Sequence, residues 1–144
     1  MVKSRIAASA VMLFAMVLQA SPAAASIHSC QFSNSAGNSA NFQPGAPVLV
    51  NITISLFTSP HDASAPVHVV ATGKSPDPQQ FPSISSTTLR ELFQLHDGET
   101  ISFTADVGPA PETPGFYQGL VKFVWGGVCK SGGLSSTTVD ITVS

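Results

Sequence analysis

The chain has 144 residues, 43% of them hydrophobic and only 10% charged, with a formal charge of −2. That length suits one domain with a real core. Six basic residues against eight acidic ones exclude the basic excess that a nucleic-acid partner asks for.

The first element is an export signal. Lys3 and Arg5 give a positive start, and Ile6 to Leu18 is an uncharged run of apolar and small residues. Gln19, Ser21 and Pro22 break it, and Ala23-Ala24-Ala25 places small residues at a cut site. These parts in this order make a secretory signal peptide. Residues 1–25 are therefore expected to be removed, and residues 26–144 to form a single β-sandwich domain, secreted or periplasmic. The apolar run falls short of the roughly 20 residues of a membrane span, and no later segment is long enough, so no membrane span is expected after cleavage. Cys30 lies too far past the run for a lipid anchor. Cleavage leaves Lys74, Arg90, Lys122 and Lys130 against all eight carboxylates, a more acidic balance.

Cys30 and Cys129 are the two cysteines. In an oxidising compartment an isolated pair is most simply a disulfide. Closing a loop of about 100 residues would restrict the unfolded chain by up to about 4.7 kcal/mol.

Beyond the signal, alternation dominates. Ile27 to Phe32 reads as a first strand, followed by a polar loop from Ser33 to Gly45. Val48, Val50, Ile52, Ile54 and Leu56 alternate with Leu49, Asn51, Thr53, Ser55 and Phe57, the period of a strand with one face on a core. Val67 to Ala71 is a short β-branched run, and a proline-rich loop holding Pro76, Pro78 and Pro82 follows. Ser86 to Leu95 reads two ways. Thr88 with Glu91 resembles a capping box and Leu89, Leu92 and Phe93 a helical stripe, yet Asp97-Gly98 is a hairpin signal, and a strand is favoured. Ile101, Phe103, Ala105 and Val107 share one face of the next strand. Tyr117, Gly119, Val121, Phe123 and Trp125 share one face of another, and Val139, Ile141 and Val143 one face of the last.

About seven short strands punctuated by Gly, Pro, Ser and Asn predict an all-β fold, an immunoglobulin-like antiparallel β-sandwich with one disulfide. In such a sandwich the first and last strands can run side by side in parallel, which would bring Cys30 near the loop holding Cys129.

The stretch from Thr113 to Phe123, with Pro114-Gly115-Phe116-Tyr117-Gln118-Gly119-Leu120-Val121, resembles the Pro-Gly-x-Tyr-x-Gly-x-Val pattern of secreted bacterial immunoglobulin-like modules, pilin-like and spore-coat-U-like ones among them. The resemblance implies the fold, a secreted setting and a structural role for Tyr117 as a corner whose hydroxyl bonds backbone. It covers about a quarter of the chain and implies no ligand. The chain lacks the C-terminal aromatic of a chaperone-assembled pilin, which argues against assembly by strand exchange.

Candidate sites are few. His61 and Asp62 share a loop, His68 lies on a strand and His96 beside a turn. Their spacing does not join them into a metal site. No nucleophile elbow is present, the cysteines are better used as a bridge, and no enzyme is expected. Trp125, Phe123 and Tyr117 are expected in the core. Phe81, within Pro78-Gln79-Gln80-Phe81-Pro82, either packs down as a plug or stands out as a recognition anchor. Asn51-Ile52-Thr53 matches a glycosylation sequon, expected to be unused. Cleavage after Ala25 would leave Ser26-Ile27-His28, whose α-amino group, amides and imidazole can wrap Cu(II) in a square plane, with His28 as a ligand. The expectation is a non-enzymatic binding module that takes a protein or a glycan through its loops, with Phe81 and His61 as candidates. The alternatives are a structural subunit forming a homo-polymer and a periplasmic copper-binding protein.

Overall fold

A computed structural model describes residues 28–37, 41–129 and 132–144. The expected signal peptide, Ser26 and Ile27 lie outside these residues. Among the described residues eight strands run in chain order: β1 (Ser29–Gly37), β2 (Asn41–Phe42), β3 (Pro47–Ser59), β4 (Ser64–Thr72), β5 (Thr88–His96), β6 (Thr100–Pro109), β7 (Gly115–Trp125) and β8 (Gly133–Val143). They form a three-stranded sheet in the order β1-β3-β6 and a five-stranded sheet in the order β2-β8-β7-β4-β5. This is the expected all-β, immunoglobulin-like sandwich. Its seven long strands are those expected, and the two-residue β2 is additional. No helix occurs among the described residues.

The core follows the period of two. Val48, Val50, Ile52, Ile54 and Leu56 of β3 are buried, as are Val67, Val69 and Ala71 of β4 and Val121 and Phe123 of β7. Val139, Ile141 and Val143 of β8 close it. A fully buried aliphatic or aromatic side chain of this kind is worth about 1.5–3 kcal/mol over an exposed one. Phe93 and Phe103 meet across the two sheets with ring centroids 4.9 Å apart.

Three local expectations need correction. The segment after Phe32 is not simply a polar loop: β1 continues to Gly37, antiparallel to β3, and β2 adds a second piece. The strand parallel to the last strand is β2, with Asn41 opposite Thr142 and Phe42 opposite Val143. The first strand meets that region through the isolated parallel bridge between His28 and Cys129. Finally, Asp97-Gly98 makes a tight turn but not a hairpin, because β5 and β6 lie in different sheets. The Glu99 amide donates to the His96 carbonyl at 2.9 Å, and only Gly98 has a positive φ. A single positive φ at the third turn position is the type II pattern, whereas the tight hairpin turn that Asp-Gly favours, type I′, needs positive φ at both central residues. The chain therefore steps from one sheet to the other.

The disulfide joins the two layers. Cys30 of β1 is bonded to Cys129, in the connection leading to β8, with Cα atoms 5.4 Å apart. Trp125 lies alongside this region, its ring 4.7 Å from that of Phe32. A Cβ on Gly133 would fall 2.3 Å from the Trp125 ring, so the indole lies against bare backbone.

Candidate binding face

The residues singled out from the sequence fall into three places. Tyr117 is buried, and its hydroxyl donates to the Thr113 backbone carbonyl. Phe123 is buried and Trp125 packs against the core, so this alternating set is core and not a platform.

His61 and His28 sit at one end of the sandwich, each beside a carboxylate. His28 Nε2 lies 3.0 Å from Asp62 Oδ1, and His61 Nδ1 lies 3.5 Å from Asp97 Oδ2. Asp97 Oδ1 also accepts the Thr58 amide at 2.6 Å. That backbone hydrogen bond, helped by His61 and opposed by desolvation, holds the Asp97 carboxyl below its ordinary range. The Asp97 carboxylate thus secures the sheet-to-sheet turn to β3. His68 faces outward from β4 and His96 ends β5. Among the described residues no three His, Cys, Asp or Glu side chains are grouped to hold a metal. Two of the three residues of the expected copper chelate, Ser26 and Ile27, lie outside the described residues.

The loop between β4 and β5 carries the third place. It is laced to its surroundings: the Ile84 amide donates to the Gly73 carbonyl at 2.7 Å, and the Gln118 amide donates to Pro82 at 3.1 Å. Ser85 Oγ donates to the Val107 carbonyl. The plug of this loop is Ile84, 4% exposed. It sits over Gly119, where a Cβ would fall 2.7 Å from the Thr72 carbonyl oxygen. Phe81 is half-buried instead, and it lines a cleft of about 360 Å³ with Phe116, Gln118, Asp140 and Thr142. Phe116 is 69% exposed. Gln118 Nε2 donates to Asp140 Oδ1 at 2.8 Å.

This cleft belongs to a larger surface. The residues of β7 that face away from the core are Phe116, Gln118, Leu120, Lys122 and Val124. The register sets them in rows across the five-stranded sheet. Leu92, His68, Val124 and Leu134 form one row, and Arg90, Val70, Lys122 and Ser136 the next. A second cleft of about 350 Å³ opens over Val70, Thr72, Lys74, Ser75, Thr88, Arg90, Leu120 and Lys122. Sequence reading pointed to Phe81 but passed over Phe116 and the rest of this row. The core-facing odd-numbered residues of β7 drew attention, and the even-numbered ones show their meaning only once neighbouring strands are in register.

No family model matches the chain, and no curated protein is significantly similar to it. No described helix is long and apolar enough to cross a membrane.

Proposed function

We propose that this protein is a secreted or periplasmic, non-enzymatic binding module that takes a glycan on the outer face of its five-stranded sheet. The signal signature at residues 1–25 and the Cys30–Cys129 disulfide both suit an exported protein. The observation that carries the ligand class is the cleft where Phe116 stands exposed beside Phe81, over the Gln118–Asp140 pair. An aromatic face stacks on the C–H face of a sugar ring, and an amide and a carboxylate beside it donate to and accept from sugar hydroxyls. The cleft is shallow and open along a rigid sheet, which suits a chain-like ligand better than an enclosed small molecule. A protein ligand, the other occupant expected from the sequence, would centre instead on the exposed row of Leu92, Val124 and Leu134, at the far end of β7 from this cleft.

The test is a titration of uniformly ¹⁵N-labelled residues 26–144 with cello-, manno- and galacto-oligosaccharides. The amides of Phe116, Gln118 and Asp140 should shift, and Phe116→Ala should weaken binding about tenfold, as expected for loss of a stacking anchor. Absence of any shift across all three sugars, or shifts confined to the His28–Asp62 end, would remove the glycan reading.

A further inference from the structure

We infer that the second cleft on this face is an anion subsite, and that the glycan bound here carries carboxylate or sulfate groups. This inference rests on the glycan reading and adds the charge of the ligand to it.

The distribution of positive charge is the first ground. The chain has six Lys and Arg residues. Lys3 and Arg5 belong to the expected signal, and Lys130 lies outside the described residues. The remaining three, Lys74, Arg90 and Lys122, line one cleft. Arg90 and Lys122 flank Val70 in a single row across β5, β4 and β7. Two strand spacings set their Cα atoms about 10 Å apart.

The second ground is that, among the described residues, no carboxylate is paired with them. No carboxylate lines the cleft. Among the described residues no Asp or Glu lies within ion-pair distance of any of the three. The neighbour of Arg90 in sequence, Glu91, lines the opening between the sheets on the other face of β5. In an acidic chain, three like charges gathered around one depression repel one another, and a bound anion relieves that repulsion. Arg90 offers a planar fork of donors suited to carboxylate or sulfate, and the lysines supply point charges.

The third ground is continuity with the aromatic cleft. Leu120, which lines the cationic cleft, is the next outward residue of β7 after Gln118, which lines the other. From Phe116 to Lys122 the strand advances about 20 Å. A short saccharide laid along β7 therefore meets stacking rings at one end and cations at the other.

The experiment uses residues 26–144 and three probes with matched length: tetragalacturonate, its neutral methyl ester, and a sulfated tetrasaccharide. Isothermal titration is run at low salt and at several-fold higher salt. The acid or the sulfated form, or both, should bind about tenfold more tightly than the ester, the gain of one charge-assisted contact. The two arms tell carboxylate from sulfate preference. High salt should erase the difference. The double variant Arg90→Gln with Lys122→Gln should erase it too, costing the acidic probes more affinity than the ester, and Lys74→Gln should reduce it in part. A thermal melt matching the wild type shows that the variants are folded. Equal binding of acid, sulfate and ester, lost on Phe116→Ala, would overturn the anion subsite and leave the glycan reading standing. Failure of all three to bind would overturn both. A polyglutamate peptide bound as tightly as the acidic sugars would overturn the saccharide assignment in favour of a general polyanion surface.

Discussion

Facing outward from the three-stranded sheet are Gln31, Ser33 and Ser35 of β1, Asn51, Thr53 and Ser55 of β3, and Ser102 and Thr104 of β6. Facing outward from the five-stranded sheet are Leu92, His68, Val124 and Leu134 in one row and Arg90, Val70, Lys122 and Ser136 in the next. The first surface satisfies itself. Thr53 Oγ1 and Ser102 Oγ lie 3.0 Å apart, and Thr104 Oγ1 donates to Asn51 Oδ1 at 3.2 Å. Among the described residues it carries no lysine or arginine, and its exposed apolar residues, Leu49 and Phe57, stand apart near the two ends of β3. The second surface leaves Leu92 61% and Leu134 66% exposed in the same row, beside cations without carboxylate partners. Short hydroxyls paired across strands make a face that water already suits, whereas apolar and unneutralised charged groups side by side mark a face that binds something. On the reading proposed above, one sheet meets solvent and the other meets the ligand.

The most severe way to break that comparison is to loosen the two sheets from each other. The Cys30–Cys129 bond ties β1 of one layer to the connection leading into β8 of the other, closing a sequence separation of 99 residues. Replacing both cysteines with serine should lower unfolding free energy by about 2–5 kcal/mol, read as a lower denaturant midpoint with a steeper slope, because the unfolded chain without the cross-link is less compact. Non-reducing peptide mapping of the native protein should recover the linked pair. Two alkylatable thiols in the folded protein would contradict the bridge.

A smaller effect is expected at the corner that opens β7. The Tyr117 hydroxyl reaches back to Thr113 across the turn that opens β7, and Phe116 is its immediate neighbour on the outer face. Tyr117→Phe removes one hydrogen bond and keeps the ring, at a cost of about 0.5–1.5 kcal/mol. Circular dichroism should be unchanged. A midpoint equal to the wild type would mean that the corner contributes nothing to holding the start of β7.

The contrast between the faces also explains which parts of the fold were legible in the sequence. β3, β4, β6 and β7 announce themselves because one face is fully apolar: the Val48-to-Leu56 set and the Tyr117-to-Trp125 set need no further information. The second half of β1 does not, because Ser33 and Ser35 face water while Asn34 and Ala36 face inward, so alternation fades. The start of β8 was missed for the same reason, since its inward residues Gly133, Ser135 and Thr137 are small or polar. Gly133 is small because the Trp125 ring occupies the space of a side chain. Asp97-Gly98 announced a turn, but which sheet the chain enters next is decided by tertiary pairing. The candidate site was the least legible. Phe81 could be named from its loop, yet the row Arg90, Val70, Lys122 comes from three strands whose register is not written in local sequence.

The smallest expected effect gives the sharpest control. Thr53 sits in the middle of the three-stranded sheet's outer face, between Ser35 of β1 and Ser102 of β6. Thr53→Val keeps the β-branched shape that suits a strand and deletes the hydroxyl that meets Ser102. A cross-strand pair of this kind is worth about 0.2–1 kcal/mol, and Ser102 is exposed enough for water to replace the lost partner. The denaturant midpoint should therefore move little. Oligosaccharide affinity should not move at all, because Thr53 lies on the opposite outer surface from Phe116 and Lys122. The same titration applied to Thr53→Val and to Phe116→Ala separates the two faces directly. If Thr53→Val weakened saccharide binding and Phe116→Ala did not, the recognition surface would belong to the hydroxyl-lined sheet, and the exposed Leu92 and Leu134 would need another explanation.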